Sequence, residues 1–426
     1  MGVGYGRFAP QFLRDDGVRT ATTNERAILS ALRRGGPKTR AQLSRALDLT
    51  EQSITRLIEP LVRRGLVVED RPVVSGRGKP GAPLRLDARA AHAVGVSVMT
   101  DAVAAAIMDL SGAVLARREI RLQDTAPPSA FRKILALAQA LENEVGAAPE
   151  RRLGFGVAVT GYFVGDGAQV NPPPGLDAWA LSPLDRLLSD AFAGPVWIEN
   201  DGAAAAIGEA MIGAGLRYDS LAYLYFSAGF GGGVILNGEP MRGVNGNAGE
   251  FASILPSDWF QPNLTQLLRM IQEPGGGPAT IAEMLAAFPS DSPAVARWVA
   301  AAVPSLNLIV SAISGVLDTQ AIVLGGRLPT PLAEALASRL SFTNPERRGT
   351  SSPGANDHGL AYSRRRLRHR GGRPAAARRL FLTSAERITP SFCLNMDCVA
   401  VDLERLGHKA SDFPHGIIFP RSLSLD

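Results

Sequence analysis

Apolar residues recur at helical spacing near the start of the chain. Between residues 24 and 36, Ile28, Leu29 and Leu32 share one face behind a polar cap, and Gly35-Gly36 ends the run. A second run begins at Thr39, with Leu43 and Leu47 four apart. Thr50 then caps a third, TEQSITRLIEPLVRRG, whose Ile54, Leu57, Ile58, Leu61 and Val62 keep the 3.6-residue period. Glu51, Gln52, Ser53, Thr55 and Arg56 face outward at its start. Leu66-Val67-Val68 reads as a strand and residues 83–86 as its return, joined by the flexible cationic tip SGRGKPG over 75–81. Three helices and a basic hairpin predict a winged helix-turn-helix, with the third helix suited to a major groove and the tip to phosphates or a minor groove. A winged helix that docks protein instead is the competing reading.

Further along, strands alternate with helices, which predicts an α/β body. Residues 92–99, 102–109 and 112–115 read as two strands and a turn, 130–145 as a helix and 153–160 as a buried strand. An apolar strand runs from Trp197 into Glu199-Asn200-Asp201, followed by an alanine-rich helix from about residue 202 to 212. The next strand, 221–226, leads into a glycine loop at 229–233, a third strand, and a Gly/Asn-rich loop ending at Glu250. Carboxylates at strand ends beside a glycine loop suit a sugar- or phosphate-binding crevice. The same spacing also fits an α/β core whose glycines only make turns. Later, 278–288 predicts a helix with Thr280 near its cap, and 294–317 a long apolar helix that Pro304 kinks or divides. Residues 320–324 read as a strand whose Gly325-Gly326-Arg327 turn simply connects onward.

Composition narrows the class. A chain of 426 residues with 46% hydrophobic and 20% charged residues is expected to be globular, with two or three domains. No apolar run is read as reaching the ~18–20 residues a membrane helix needs, and the first residues lack a signal-peptide core. Two cysteines, Cys393 and Cys398, are too few for a disulfide framework, and the cytoplasm is the expected compartment. Net charge is +5, yet residues 1–90 hold 17 Lys/Arg against 9 Asp/Glu, and residues 344–390 hold 11 against 3. The basic N-terminal segment calls for a phosphate-bearing partner, double-stranded DNA. Candidate DNA contacts are Arg40, Gln42, Thr50, Gln52, Ser53, Thr55, Arg56, Arg77 and Lys79.

From about residue 24 to 340 the chain resembles the repressor branch of the ROK family (repressors, open reading frames, kinases). The resemblance rests on the order and spacing of the SGRGKPGAP wing, VGVSVMTDAVAAAIMDLSGAVL, VTGYF, PPPGLDAW, IENDGAAAAIGEA, FSAGFGGGVILNG, GNAGE and VLGGRLP. It implies an α/β fold class: a winged helix followed by an actin-like (ribonuclease H-like), two-lobed sugar-kinase body. It also implies a DNA-binding regulator of carbohydrate genes in the repressor class, a sugar or sugar-derived effector, and a homodimer or homotetramer suited to a two-fold operator. The alternative it leaves open is an ATP-dependent sugar kinase with a fused DNA-binding domain.

Departures from the family weigh against the kinase. Ser97-Val98-Met99-Thr100-Asp101 stands where the kinases carry an Asp-x-Gly-x-Thr phosphate loop, and Ala228 stands where a threonine precedes the second glycine loop. Asp201 matches the family's catalytic base and, without a phosphate loop, is expected to accept hydrogen bonds from a ligand. Gly175-Leu176-Asp177-Ala178-Trp179 lacks the sugar-contacting asparagine. Phe251-Ala252-Ser253 lacks the zinc histidine, and 258–269 has no cysteine, so neither a metal nor another cofactor is expected. Asn200, Asp201 and Glu250 remain as the expected effector contacts, with helix capping and loop hydrogen bonding as their plainer role. The reading divides the chain into an arm (1–22), a winged helix (23–88), an effector domain (91–343) and an atypical basic tail (344–426). For that tail it leaves open a further nucleic-acid-binding segment, disorder, or a reading frame shifted near 341–350.

Overall fold

A computed structural model describes residues 22–72, 81–122, 124–165, 169–273, 275–342 and 380–383. Helices α1 (Thr23–Gly35), α2 (Arg40–Leu47) and α3 (Glu51–Arg63) each start behind a threonine. The hydroxyls of Thr22, Thr39 and Thr50 accept from the backbone N–H groups of Glu25, Gln42 and Ser53. Each such cap is worth about 1 kcal/mol. Ile28, Leu32, Leu43, Ile54, Ile58 and Leu61 meet in one core. The periodic position Val62 stays outside it, 40% exposed. Strand β1 (Val67–Glu69) pairs antiparallel with β2 (Leu84–Leu86), and Lys38 bridges to Leu84 on the other side. The wing tip with Arg77 and Lys79 lies outside the described residues.

The body is a duplicated α/β fold. Its first sheet holds β3 (His92–Val98), β4 (Ala102–Asp109), β5 (Val114–Arg121), β6 (Arg152–Val159) and β9 (Val196–Asn200), in the order β5-β4-β3-β6-β9. The strand pair and turn expected at 92–115 is thus a three-stranded meander. Strand β5 escapes the sequence pattern because it is a largely exposed edge carrying Arg117, Arg118 and Glu119. On the other side of the meander, β3, β6 and β9 run parallel. Helices α4 (Pro127–Val145) and α5 (Leu184–Phe192) cover one face, where Phe131, Trp179, Phe155 and Phe192 pack together. A small hairpin, β7 (Tyr162–Val164) with β8 (Gln169–Asn171), follows β6.

Helix α6 (Asp201–Ile212) leads to the second sheet, made of β10 (Leu221–Phe226), β11 (Phe230–Leu236), β12 (Glu239–Pro240), β13 (Ala321–Gly326) and β14 (Leu380–Thr383). Its order, β12-β11-β10-β13-β14, repeats the first sheet: an antiparallel meander, then parallel strands beside its first member. The fifth strand comes from the tail set apart in the sequence, where the short β-prone run Leu-Phe-Leu-Thr is taken up beside β13. Helices α7 (Leu264–Gln272), α8 (Ile281–Ala286), α9 (Pro293–Leu317) and α10 (Thr330–Ala337) build the second core. Pro304 does not divide α9, which is one 25-residue helix. By length and composition alone α9 is long and apolar enough to cross a membrane, against the expectation that no run in the chain is. Its Trp298, Ala302, Leu306, Ile309 and Ile313 are instead buried in this core.

Between the sheets sits α6. Residues 204–211 are all buried, against Ala106, Ala158 and Trp197 on one side and Tyr223, Ile235 and Val323 on the other. A helix apolar all round belongs in an interior, and its alanines let both sheets come close. The glycines at 231–233, expected in a loop, are inside strand β11. A Cβ on Gly233 would lie 2.7 Å from the Ala206 Cβ, and one on Gly202 would lie 2.7 Å from the Gly232 nitrogen.

Candidate functional site

Parallel β6 and β9 end level, with Val159 opposite Asn200, so the residues just beyond them meet at the carboxyl end of the sheet. That is where open α/β sheets bind ligands. Thr160 Oγ1 donates to Asp201 Oδ2 at 2.8 Å. Asn200 Nδ2 donates to the Gly161 carbonyl at 2.8 Å and to Glu250 Oε1 at 3.3 Å. The structure therefore brings Asn200, Asp201 and Glu250 together, from positions fifty residues apart. Asn200 also fills the plainer role, because its Oδ1 accepts from the Gly202 and Ala203 N–H groups and caps α6.

These groups line a cavity of about 250 Å³, walled by Tyr162, Asn171-Pro172-Pro173, Tyr225, Phe230 and Gly231. Burial pushes the Asp201 carboxyl up to about 7, helped by the Glu250 charge and opposed by the Thr160 hydrogen bond. Burial also raises Glu250, and it lifts the Tyr225 phenol well above its ordinary value. Two carboxylates, four hydroxyls (Thr160, Tyr162, Tyr225 and Ser227), two side-chain amides and apolar ring faces form a surface that can accept hydrogen bonds from a polyol. Among the described lining residues there is no Lys, Arg or His. The neighbouring buried Glu199 is paired with Arg242.

The other part of the crevice is different. Arg327, in the turn after β13, reaches across to the turn after β3: Nη1 lies 2.9 Å from Asp101 Oδ1, and Nη2 lies 3.5 Å from Glu119 Oε1 on β5. The sequence treats that turn as a plain connection, but it holds an ion pair between the two halves of the body. One sequence offers no signal for a pair 226 residues apart. The sequence likewise gives no local signal for Thr160, Tyr162, Asn171 and Tyr225 as pocket residues.

The position of the family's zinc histidine is taken by a hydroxyl. Ser253, where the zinc histidine would stand, donates its hydroxyl to the Glu250 carbonyl at 2.6 Å. Among the described residues no group of three or more His, Cys, Asp or Glu is placed to hold a metal.

On the winged helix, the candidate contacts separate. Gln52 and Arg56 are exposed at the start of α3. Thr50 is committed to the cap of α3, where Ser53 is its partner, and Thr55 donates to the Glu51 carbonyl. Gln42 accepts from Thr39 N–H in a capping box. Arg40 is held in a two-pronged pair with Glu69 at 2.7 and 2.9 Å, which raises its own pKa and lowers that of Glu69.

Comparison with known proteins agrees with this architecture. A ROK family model matches residues 93–261, and a MarR family model matches residues 21–78. Uncharacterized protein y4fQ of Sinorhizobium fredii (strain NBRC 101917 / NGR234) is 29% identical over 322 residues, covering 74% of this chain and 81% of its own. The xylose repressor of Bacillus subtilis (strain 168) is 26% identical over 227 residues, covering 53% of this chain and 59% of the repressor, little more than half its length. A crystal structure described as a ROK family transcriptional regulator, homolog of E. coli MLC protein, aligns at TM-score 0.61 and 16% identity, covering 90% of this chain and 99% of that one. The fold and site thus define a winged helix joined to a two-lobed, actin-like sugar-kinase body. The chain carries a ROK family domain over residues 93–261, preceded by a MarR-type winged helix over residues 21–78.

Proposed function

We propose that this protein is a sugar-responsive transcriptional regulator that binds an operator through residues 23–88 and a neutral sugar or sugar derivative through residues 91–343. The observation that carries the reading is the pocket, where Asn200, Asp201 and Glu250 surround one cavity in the same chain as an exposed α3 face. The repressor relative supports it. Gln52 and Arg56 are its main base or phosphate readers, and Thr50, Ser53 and Thr55 position the start of α3. Arg77 and Lys79 follow the groove from the wing, while Arg40 and Gln42 shape the turn. In this reading the protein works in the cytoplasm as a dimer or tetramer, with the arm (1–22) outside the two working parts and Leu380–Thr383 of the tail (344–426) lent to the second sheet of the body.

One observation favours a kinase. Asp201 is buried, has a pKa near neutrality and could take a proton from a sugar hydroxyl. The Arg327 bridge and the missing phosphate loop weigh against phosphoryl transfer. The test is a mobility shift on the DNA upstream of the gene, with and without a panel of neutral sugars, beside an ATP-turnover assay on the same panel. Release of the shifted band by one sugar, without turnover, is the expected result. Turnover with ATP, or folded protein that never shifts the DNA, would overturn the reading.

A further inference from the structure

The pocket and the winged helix are joined by one element. Asp201, the buried pocket carboxylate, opens α6, and the far end of that helix touches α1. Twelve helical residues span about 18 Å. At that end the Met211 carbonyl is among the last four of the helix, which have no N–H partner inside it. Arg33 of α1 supplies the donor, with Nη1 at 3.2 Å. A cation at a helix C-terminus is favoured by the helix dipole as well. The turn between β4 and β5 closes over the same contact: a Cβ on Gly112 would sit 3.5 Å from Ile212 Cγ2 and 3.8 Å from Arg33 Cδ. Leu110 and Leu153 of the body lie in the same buried cluster as Ile28, Ile58 and Leu86 of the winged helix, so the two parts pack as neighbours.

Helix α6 has little room to bend or slide alone. It is buried between both sheets, and its Gly202 and Ala206 lie against Gly232 and Gly233 of β11, whose neighbour Gly231 lines the pocket. A shift of Asp201 or of the glycine strand therefore moves the helix as a unit, together with its Met211 end.

We propose that α6 transmits the state of the pocket to the DNA-binding helices, and that Arg33 is the positioning residue through which α1 reads it. The proposal rests on the pocket being the effector site. It requires no contact of Arg33 with either ligand.

The test uses the full chain and a DNA duplex selected by the wild-type protein from a random pool. Operator affinity is measured by fluorescence anisotropy with and without D-xylose, D-glucose or N-acetylglucosamine, and sugar affinity by calorimetry without DNA. For a sugar that weakens operator binding about tenfold or more in the wild type, Arg33→Gln is expected to cut that factor below about threefold, the range of a weak coupling. Both separate affinities should stay within about threefold of wild type, and Arg33→Lys, which keeps a donor for the Met211 carbonyl, should restore the factor. Retention of the full factor in Arg33→Gln overturns the proposal.

If no sugar acts on the wild type, the effector reading fails, and a ligand-free cycle still decides the coupling. Sites this far apart act independently to within about twofold. The proposal expects Asp201→Asn to change operator affinity at least threefold in the wild type but not in Arg33→Gln, while additive effects overturn it. Ile212→Ala, on the other side of the contact, is the second variant should Arg33→Gln fail to fold, and it is expected to lower the same factor.

Discussion

The two parts of the crevice have had different fates. On one side, buried Asn200, Asp201 and Glu250 surround a cavity, with Thr160 holding the aspartate in place. On the other, Arg327 bridges to Asp101 and Glu119, in a region where the family's kinases would handle nucleotide phosphates. A polyol needs only a few well-placed acceptors and a dry wall. Phosphoryl transfer needs a cradle of N–H groups and free cations. The pocket lining fits the first requirement, and Arg327 is held in an internal ion pair instead of serving the second. In the function proposed, the sugar-kinase body selects a sugar without transferring phosphate, which suits a sensor.

The sharpest consequence concerns Asp201. Its carboxyl is raised from 3.8 to about 7 in the folded protein, so the folded state holds its proton to higher pH than the unfolded chain. The contribution to stability is complete below pH ~3.8, falls as pH rises towards ~7, and is flat beyond. Asp201→Asn has no such proton to lose. Its stability relative to wild type is expected to rise by on the order of 3 kcal/mol between pH 5 and pH 8, read by urea unfolding at each pH. Parallel pH curves for the two proteins would mean that the pocket is wet and the carboxylate ordinary.

Removing the acceptor altogether tests the ligand side of the contrast. Asp201→Ala is expected to weaken sugar binding by about 30- to 100-fold in calorimetry, the range for a hydrogen bond to a charged group. An unchanged affinity would place the sugar elsewhere. On the winged helix, Arg56→Ala is expected to lower operator affinity about tenfold and to flatten its salt dependence, with sugar binding untouched. Arg40→Ala should change it no more than about twofold, because Glu69 already holds that guanidinium; a loss as large as that of Arg56 would show that the pair opens on DNA. In the closed half, Arg327→Ala is expected to cost about 1 kcal/mol in unfolding experiments and to leave ATP turnover absent. Turnover gained on removing Arg327 would mean that the bridge alone suppresses a competent phosphate site.

The parts that were legible in the sequence are those with local causes. The periodic Ile28, Leu32, Leu43, Ile54, Ile58 and Leu61, with helix starts read at 24, 39 and 50, locate the three helices of the winged helix to within a residue or two, although the cap of the first is Thr22. Strand β10 falls at 221–226 as its apolar run predicts. Pocket residues Asn200, Asp201 and Glu250 were named from the family resemblance, and their meeting depends on the register of β6 with β9. What stayed hidden has tertiary causes. Glycines 231–233 looked like a loop because a glycine needed for close backbone approach reads the same as one needed for a turn, and only α6 pressed against β11 tells them apart. Pro304 looked like a break, yet burial along both flanks keeps α9 continuous. No local pattern records that Arg327 meets Asp101, or that Leu380–Thr383 joins a sheet otherwise finished by residue 326.

The most direct test of the central claim, that this is a sensor and not a catalyst, is a single titration. Full-length protein on its upstream duplex is titrated with each neutral sugar, wild type beside Asp201→Ala, while ATP consumption is followed in the same cuvette. The account predicts that one sugar releases the wild-type protein from DNA, that Asp201→Ala needs at least about thirtyfold more of it, and that ATP is not consumed. Sugar-dependent ATP consumption by the wild type, or release that is indifferent to Asp201, would contradict it.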